Sequence, residues 1–469
     1  MVFSSITFLF FFLPATVGLY ALATRQLRNA VLLFASVVFY IWGSGTLVGV
    51  LAVSVVVDYG LGFVAGRAAA NDDTRLRRIA ITLSVVTNLG LLAWFKYATW
   101  LIENATDAGL YTGSAPNVVL PIGISFFTFQ SMSYTIDVAR GRCEHLVNPI
   151  DFAVYVTLFP QLIAGPIVRF HEIEPQIRNR RFDMAQVGEG AIRFSHGLAK
   201  KLIVADTLAP VADAAFASDD LTMGAAWIGV LAYTMQIYFD FSGYSDMAIG
   251  LGRMFGFTIP ENFNRPYSAV SITDFWRRWH ITLSNWFRDY LYIPLGGSRG
   301  SSGAAYRNLM VVFFLTGLWH GANWTFVVWG IYHGSWLLAE RRFGLRNLDG
   351  SRSPGVRRAS TFLIVVVGWV LFRSDSLGDA GSYLVSMVSF DDLGLGLLAR
   401  TTSTRAVLTL CAAMLVVLVP RNFTTGPFLV TESTRTGDAA RAVLMVAVLP
   451  FALLLAASGA FSPFLYFQF

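Results

Sequence analysis

Two histidines sit in surroundings where titratable side chains are scarce. His280 lies in WRRWHITLSNWFRDYLYIPLGG, from Trp276 to Gly297, and His320 in FFLTGLWHGANWTFVVWGIYHG, from Phe313 to Gly334. Imidazole is the side chain best suited to moving a proton near neutral pH. A titratable group placed in a bilayer is costly to desolvate, which makes it a functional-site candidate. For His320 the competing role is structural, as a helix cap or a bundle hydrogen bond. Gly317, Gly321 and Ala322 leave space around its ring, and Asn323 and Trp324 place donors beside it. His280 falls on an aromatic stripe rather than a charged one. His333 reads as structural, and His145, His171 and His196 stand near charged loops or helix ends. Asp240 and Asp246, in QIYFDFSGYSDMAIG, are carboxylates within an apolar run. They need partners, for which the candidates are an arginine of the 277–288 stretch or an imidazole.

The elements that must hold these residues are membrane helices. Of 469 residues, 55% are hydrophobic and only 14% charged, against about 25% charged in soluble globular chains. The mean hydropathy is +0.56. The composition predicts an all-α polytopic membrane protein, with the bilayer as its main partner. No basic arm or recognised module points to nucleic acid. Cys143 and Cys411 form neither a CxxC nor a disulfide framework. No His/Cys/Asp/Glu cluster has metal-ligand spacing, so no metal or bound cofactor is expected. A P-loop and a GxSxG elbow are also missing.

Apolar runs near 20 residues predict spans near 3–23, 29–45, 46–66, 79–99, 117–137, 150–168, 186–210, 223–250, 308–322, 323–340, 358–373, 405–420 and 441–459. The first reads as a retained span rather than a cleaved signal. Arg25, Arg28, Arg67, Arg75, Arg77, Arg78, Arg140 and Arg142 follow the odd spans. That places the N-terminus outside the cytoplasm. The segment 150–168 has arginines on both sides and a Gly165-Pro166 break, so a re-entrant element is expected, tolerated only where protein or a water-filled cavity surrounds it. Pro260 to Arg307 is too polar to span and should face the cytoplasm. Within it, Trp276, His280, Leu283, Trp286 and Tyr290 recur at helical spacing, which predicts one amphipathic helix. Ser271 and Asp274 form a capping-box pattern at its start, and Pro294-Leu-Gly-Gly ends it. His320 follows Arg307 by 13 residues, about 20 Å of helix, deep in the bilayer. Lys200, Lys201 and Asp206 suggest a cytoplasmic helix end.

Five segments together resemble the membrane-bound O-acyltransferase superfamily, in its bacterial alginate O-acetyltransferase-like branch. They are Leu158–Phe170, Gly197–Asp206, Gln236–Phe257, Asn262–Gly300 and Gly317–Gly334. The resemblance implies a ring of about 11–13 transmembrane and re-entrant helices around a central funnel and tunnel. It implies N-terminal helices over 1–116, a core over 117–345 and C-terminal helices over 346–469. It also implies a location in the inner or plasma membrane. His320 and His280 match the family's two catalytic positions. Candidate substrate- or donor-binding residues are Arg277, Arg278, Trp276, Asn285, Trp286, Trp319, Asn323, Asp240 and Tyr244. The implied donor is acetyl-CoA or a similar cytoplasmic thioester. The implied acceptor is an envelope polysaccharide, reached with an SGNH-type extracytoplasmic partner, or a lipid-linked or glycolipid acceptor modified without one. Two other functions stay open: export of D-alanyl or another acyl group to an envelope polymer, and, from a different class, a lipid-linked sugar transporter or flippase. No internal repeat supports the transporter.

Overall fold

The structure is a computed structural model describing residues 2–345, 353–390, 392–418, 424–459 and 464–465. Among the described residues the regular structure is helical, without strands. Four helices are long and apolar enough to cross a membrane: Arg28–Ala70, Thr74–Asp107, Pro354–Arg373 and Arg435–Ala457. Phe8–Leu22 and Thr404–Leu418 are shorter apolar helices. The last two residues of the span expected at 405–420 lie outside the described residues. The chain is a multi-pass membrane protein, and it divides into two compact units. One is Met1–Phe194 with Met247–Pro260; the other is Ser195–Asp246 with Glu261–Phe469.

In the first unit, Arg28–Ser44 and Val48–Ala70 are separated by the single turn Gly45–Leu47, entered at Gly45 with φ +54°. The span expected from 117 begins as a helix only at Ile124. Before it, Gly123 adopts φ +76°, and a Cβ there would stand 2.6 Å from the carbonyl oxygen of Leu162, so glycine is required twice over. The element at 150–168 is broken, and earlier than its Gly165-Pro166 pair predicts. Helix Pro149–Thr157 stops where Leu158 leaves helical geometry, one turn follows at Phe159–Leu162, and the chain is irregular through Gly165. Residues 159–170 are all buried, which meets the condition for irregular backbone in a membrane protein. Helices Val48–Ala70, Thr74–Leu92 and Ile124–Ala139 pack together, and every residue of the third is buried. At their centre Asp58 accepts from Ser84, from Asn88 (2.5 Å) and from Thr135 (3.0 Å).

The helix from Met184, whose residues from Ser195 on belong to the second unit, does not end at the lysines. It passes through a π-helical turn, Lys200–Ala205, into Asp206–Phe216. Lys201 is buried rather than at an exposed helix end. It lies 2.8 Å from both Asp206 and Asp240, while Lys200 lies 2.7 Å and His196 3.0 Å from Asp246. Asp240 and Asp246 therefore take lysines and an imidazole as partners, not the arginines of 277–288. Helices Ser302–His320 and Trp324–Arg342 form a tight hairpin. A Cβ at Gly317 would stand 2.3 Å from the Phe326 carbonyl oxygen, and one at Gly330 would stand 2.4 Å from that of Phe313. The missing side chain at Gly317 thus makes room for the neighbouring backbone, and Gly321 for the Phe326 ring, rather than for the His320 imidazole.

Candidate functional site

The aromatic stretch around His280 folds as two short helices, Ile272–Arg278 and Ile281–Phe287, not the single helix its spacing predicts. His280 is the break, in left-handed backbone geometry with φ +44° and ψ +54°. Such a conformation costs a non-glycine residue on the order of 1 kcal/mol or more and persists only when surrounding structure over-determines it. The surroundings do so. Ser271 Oγ accepts from the Asp274 N–H at 3.0 Å, and the Asp274 carboxylate accepts from the Val270 N–H at 3.2 Å. The buried carboxylate of Glu340 accepts from the Ile272 N–H (2.5 Å), and from the Thr273 N–H (2.8 Å) and hydroxyl (2.7 Å). An acid at the N-terminus and Arg277 and Arg278 in the last turn both complement the helix dipole.

Beyond the break, the Asn262 amide sets the imidazole. Its Oδ1 accepts from the Thr282 N–H (3.3 Å) and hydroxyl (2.9 Å) and stands 3.1 Å from His280 Nδ1; its Nδ2 donates to Ser245 Oγ at 3.2 Å. The backbone donor of Thr282 identifies that end of the amide as oxygen, so His280 Nδ1 carries the proton and the Nε2 position carries the lone pair. Burial pushes the His280 imidazole down to about 3, so the ring is neutral at physiological pH. Its faces meet Phe241 at 4.8 Å and Trp319 at 5.9 Å, both edge-on.

His320 is the last residue of helix Ser302–His320 and is buried. Trp319, Trp329 and Phe372 each stand 5.0 Å from its ring centroid, edge-to-face. One indole, that of Trp319, therefore touches both imidazoles. The pair offers two buried nitrogen bases, one with a defined tautomer, in an aromatic enclosure that excludes bulk water.

Of the other sequence candidates, Trp276, Trp319 and Trp286 are buried, and Trp276 contacts Trp329 at 5.6 Å. Tyr244 stacks on Phe464 at 4.5 Å, and Phe464 packs on Phe241 beside His280. Asp240 sits in the Lys201 ion pair. Asn285 is half-buried and Arg277 exposed. Arg278 pairs with Asp274 at 2.7 Å. Asn323 caps the following helix through Thr325 and donates to the Asp375 carbonyl oxygen at 2.8 Å, and Trp324 is half-exposed. Sequence reasoning missed Asn262, Glu340, Trp329 and Phe372. Asn262 and Trp329 carried a signal, as members of the Asn262–Gly300 and Gly317–Gly334 motifs.

Both histidines lie within residues 39–346, which match the family model of MBOAT, the membrane-bound O-acyltransferase family. A probable alginate O-acetylase of Azotobacter vinelandii is 45% identical, with 100% of both chains covered. A peptidoglycan O-acetyltransferase of Helicobacter pylori is 36% identical over 86% of this chain and 82% of its own. A teichoic acid D-alanyltransferase of Bacillus subtilis is 26% identical over 54% of this chain and 66% of its own.

Proposed function

This chain belongs to the membrane-bound O-acyltransferase family, and from that premise we propose that it moves an acetyl group from cytoplasmic acetyl-CoA to a hydroxyl of a cell-envelope polysaccharide or glycolipid. The membrane acyltransferase activity is the family's. The acetyl group, the donor and the two histidines are our reading. It rests above all on one observation: two buried imidazoles flank the same indole, Trp319, inside the family-matched region.

His320 acts as general base. It takes the proton of the acceptor hydroxyl as the oxygen attacks the thioester carbonyl, the C–S bond breaks, and the proton passes to the departing thiolate. A base of this kind contributes about 10²–10⁴-fold. His280, neutral and fixed through Asn262, offers its Nε2 lone pair to a substrate N–H or O–H and orients it. The aromatic lining keeps water from competing as acceptor. An extracytoplasmic SGNH-type acyltransferase completes delivery to polymer, and the membrane is the inner or plasma membrane with the N-terminus outside. D-alanyl export is the second reading, favoured by the resemblance to the teichoic acid D-alanyltransferases.

The test is acyl transfer from radiolabelled acetyl-CoA to envelope material in membranes carrying wild type, His320→Ala or His280→Ala at matched expression. Loss of label in the His320 variant is expected. Undiminished label in both variants removes the mechanism, and retained sugar transport in them would favour a transporter. Labelling scans that place Arg299 or Arg341 outside would overturn the orientation.

A further inference from the structure

His333 lies one ring beyond the site. It is fully buried on helix Trp324–Arg342, and its centroid stands 5.1 Å from Trp329 and 5.2 Å from Trp276, while those two indoles are 5.6 Å apart. The three rings form a closed triangle. Neither His333 Nδ1 nor Nε2 has a hydrogen-bond partner among the described residues, and the same holds for Nε1 of Trp276 and Nε1 of Trp329. Buried polar atoms in folded proteins are mostly hydrogen-bonded, so four without partners in one contact cluster call for an explanation.

The inventory defines the missing guest. Two indole N–H groups only donate, and a neutral imidazole adds one donor and one acceptor. A single guest reaches only one edge of the imidazole, so it must complement the two indole donors and one imidazole lone pair, which an oxygen with two lone pairs and a proton to give does. A water accepts twice and donates once, which matches the roughly three hydrogen bonds of a typical internal water. A carbonyl oxygen would leave the imidazole lone pair unmet. Gly368 packs closely against Nε2; a Cβ at that position would lie 2.7 Å from the nitrogen, so only glycine fits there.

We propose that His333, Trp276 and Trp329 hold one internal water, and that through it His333 acts as a positioning residue, fixing the Trp329 indole that packs edge-on against His320. Trp329 is the shared element, touching His333 at 5.1 Å and His320 at 5.0 Å. An indole tied by its N–H holds one ring orientation, and the His320 imidazole is confined with it. The role in transfer rests on the acyltransferase reading above; the water does not.

The experiment uses the full-length protein in membranes or nanodiscs and compares wild type with His333→Phe, His333→Gln and Trp329→Phe, with His320→Ala as the inactive control. Phenylalanine keeps the ring and removes both nitrogens, so a purely packing role predicts unchanged rate and unchanged or higher thermal stability. The expected result is unchanged or higher stability with kcat lowered roughly tenfold, the size of one lost hydrogen bond in the transition state, and the donor KM within about twofold. His333→Gln, which retains a donor and an acceptor, recovers part of the rate. A wild-type rate in His333→Phe overturns the positioning role, as does a glutamine variant no better than phenylalanine. A high-resolution cryo-EM map of wild type decides the water separately. An ordered oxygen within hydrogen-bond distance of His333 and of an indole Nε1 supports it, and an empty triangle overturns it. If wild type itself shows no His320-dependent transfer, the functional reading falls while the map still decides the water.

Discussion

The surroundings of the two site histidines differ in kind. His280 is set by polar contacts: a left-handed backbone, an amide that fixes its tautomer, and a helix start tied by Glu340. His320 ends a long apolar helix, and its ring is enclosed by Trp319, Trp329 and Phe372. An imidazole that must gain and lose a proton needs a setting that accepts both states, and aromatic faces do so through their attraction for cations. One whose Nδ1 proton is held by an amide is better suited to orienting a partner. In the proposed mechanism, orientation and proton transfer are thus divided between two rings that share one indole.

The sharpest way to break that division is to remove each ring in turn. His320→Ala should lower the transfer rate about 10³-fold with folding intact, measured as label incorporated at matched expression. His280→Ala should cost less, about 10²-fold, because orientation and not the proton acceptor is lost. Equal losses would mean that both rings handle the proton. The pH profile gives a second cut. His280 is neutral above about 3, so its charge does not change across physiological pH. A rate limb falling anywhere from about pH 5 to 8 should therefore survive in His280→Gln, only scaled down. Disappearance of the limb in that variant would assign it to His280 and overturn the comparison. Asn262→Ala comes next, at roughly tenfold, the price of one orienting hydrogen bond. Asn262→Asp should recover much of that loss, since a carboxylate still accepts from Nδ1 and from Thr282.

How much of this was readable in the chain follows the range of the contacts involved. The Ser271 cap, the break in 150–168 and the non-spanning stretch from Pro260 to Arg307 rest on neighbours within a few residues, and the sequence pattern carries them. The split at His280 does not show in that pattern. Helical spacing runs straight through Trp279 and His280, and what overrides it are Asn262, 18 residues back, and Glu340, which is 68 residues from Ile272. The partners of Asp246 and Asp240 were equally hidden. Lys200 precedes Asp246 by 46 residues, and the lysines read as a charged helix end because burial is a property of the folded unit. The Trp276 contact of His333 was hidden for the same reason, since it exists only once two separate helices meet, whereas Trp329 is four residues back on the same helix.

The smallest expected effect concerns the basic flank of the same short helix. Arg277 and Arg278 are adjacent in sequence and both complement the helix C-terminus, yet they differ in engagement. Arg278 is committed to Asp274 at 2.7 Å, whereas Arg277 is exposed. Under the proposed function, a phosphate-bearing donor approaching from the cytoplasm would meet Arg277 with its guanidinium accessible, and would have to compete with Asp274 for Arg278. Arg277→Gln should therefore raise the donor KM about fivefold, near 1 kcal/mol for one solvent-screened charge contact, with kcat unchanged. Arg278→Gln should move KM less. Titrating salt sharpens the difference, because the wild-type advantage over Arg277→Gln should shrink as ionic strength rises, while the orienting losses at His280 and Asn262, made inside the buried site, should not. A salt-independent Arg277 effect, or a kcat loss at Arg277 comparable to that at Asn262, would move this arginine from the donor's approach into the orienting half of the site.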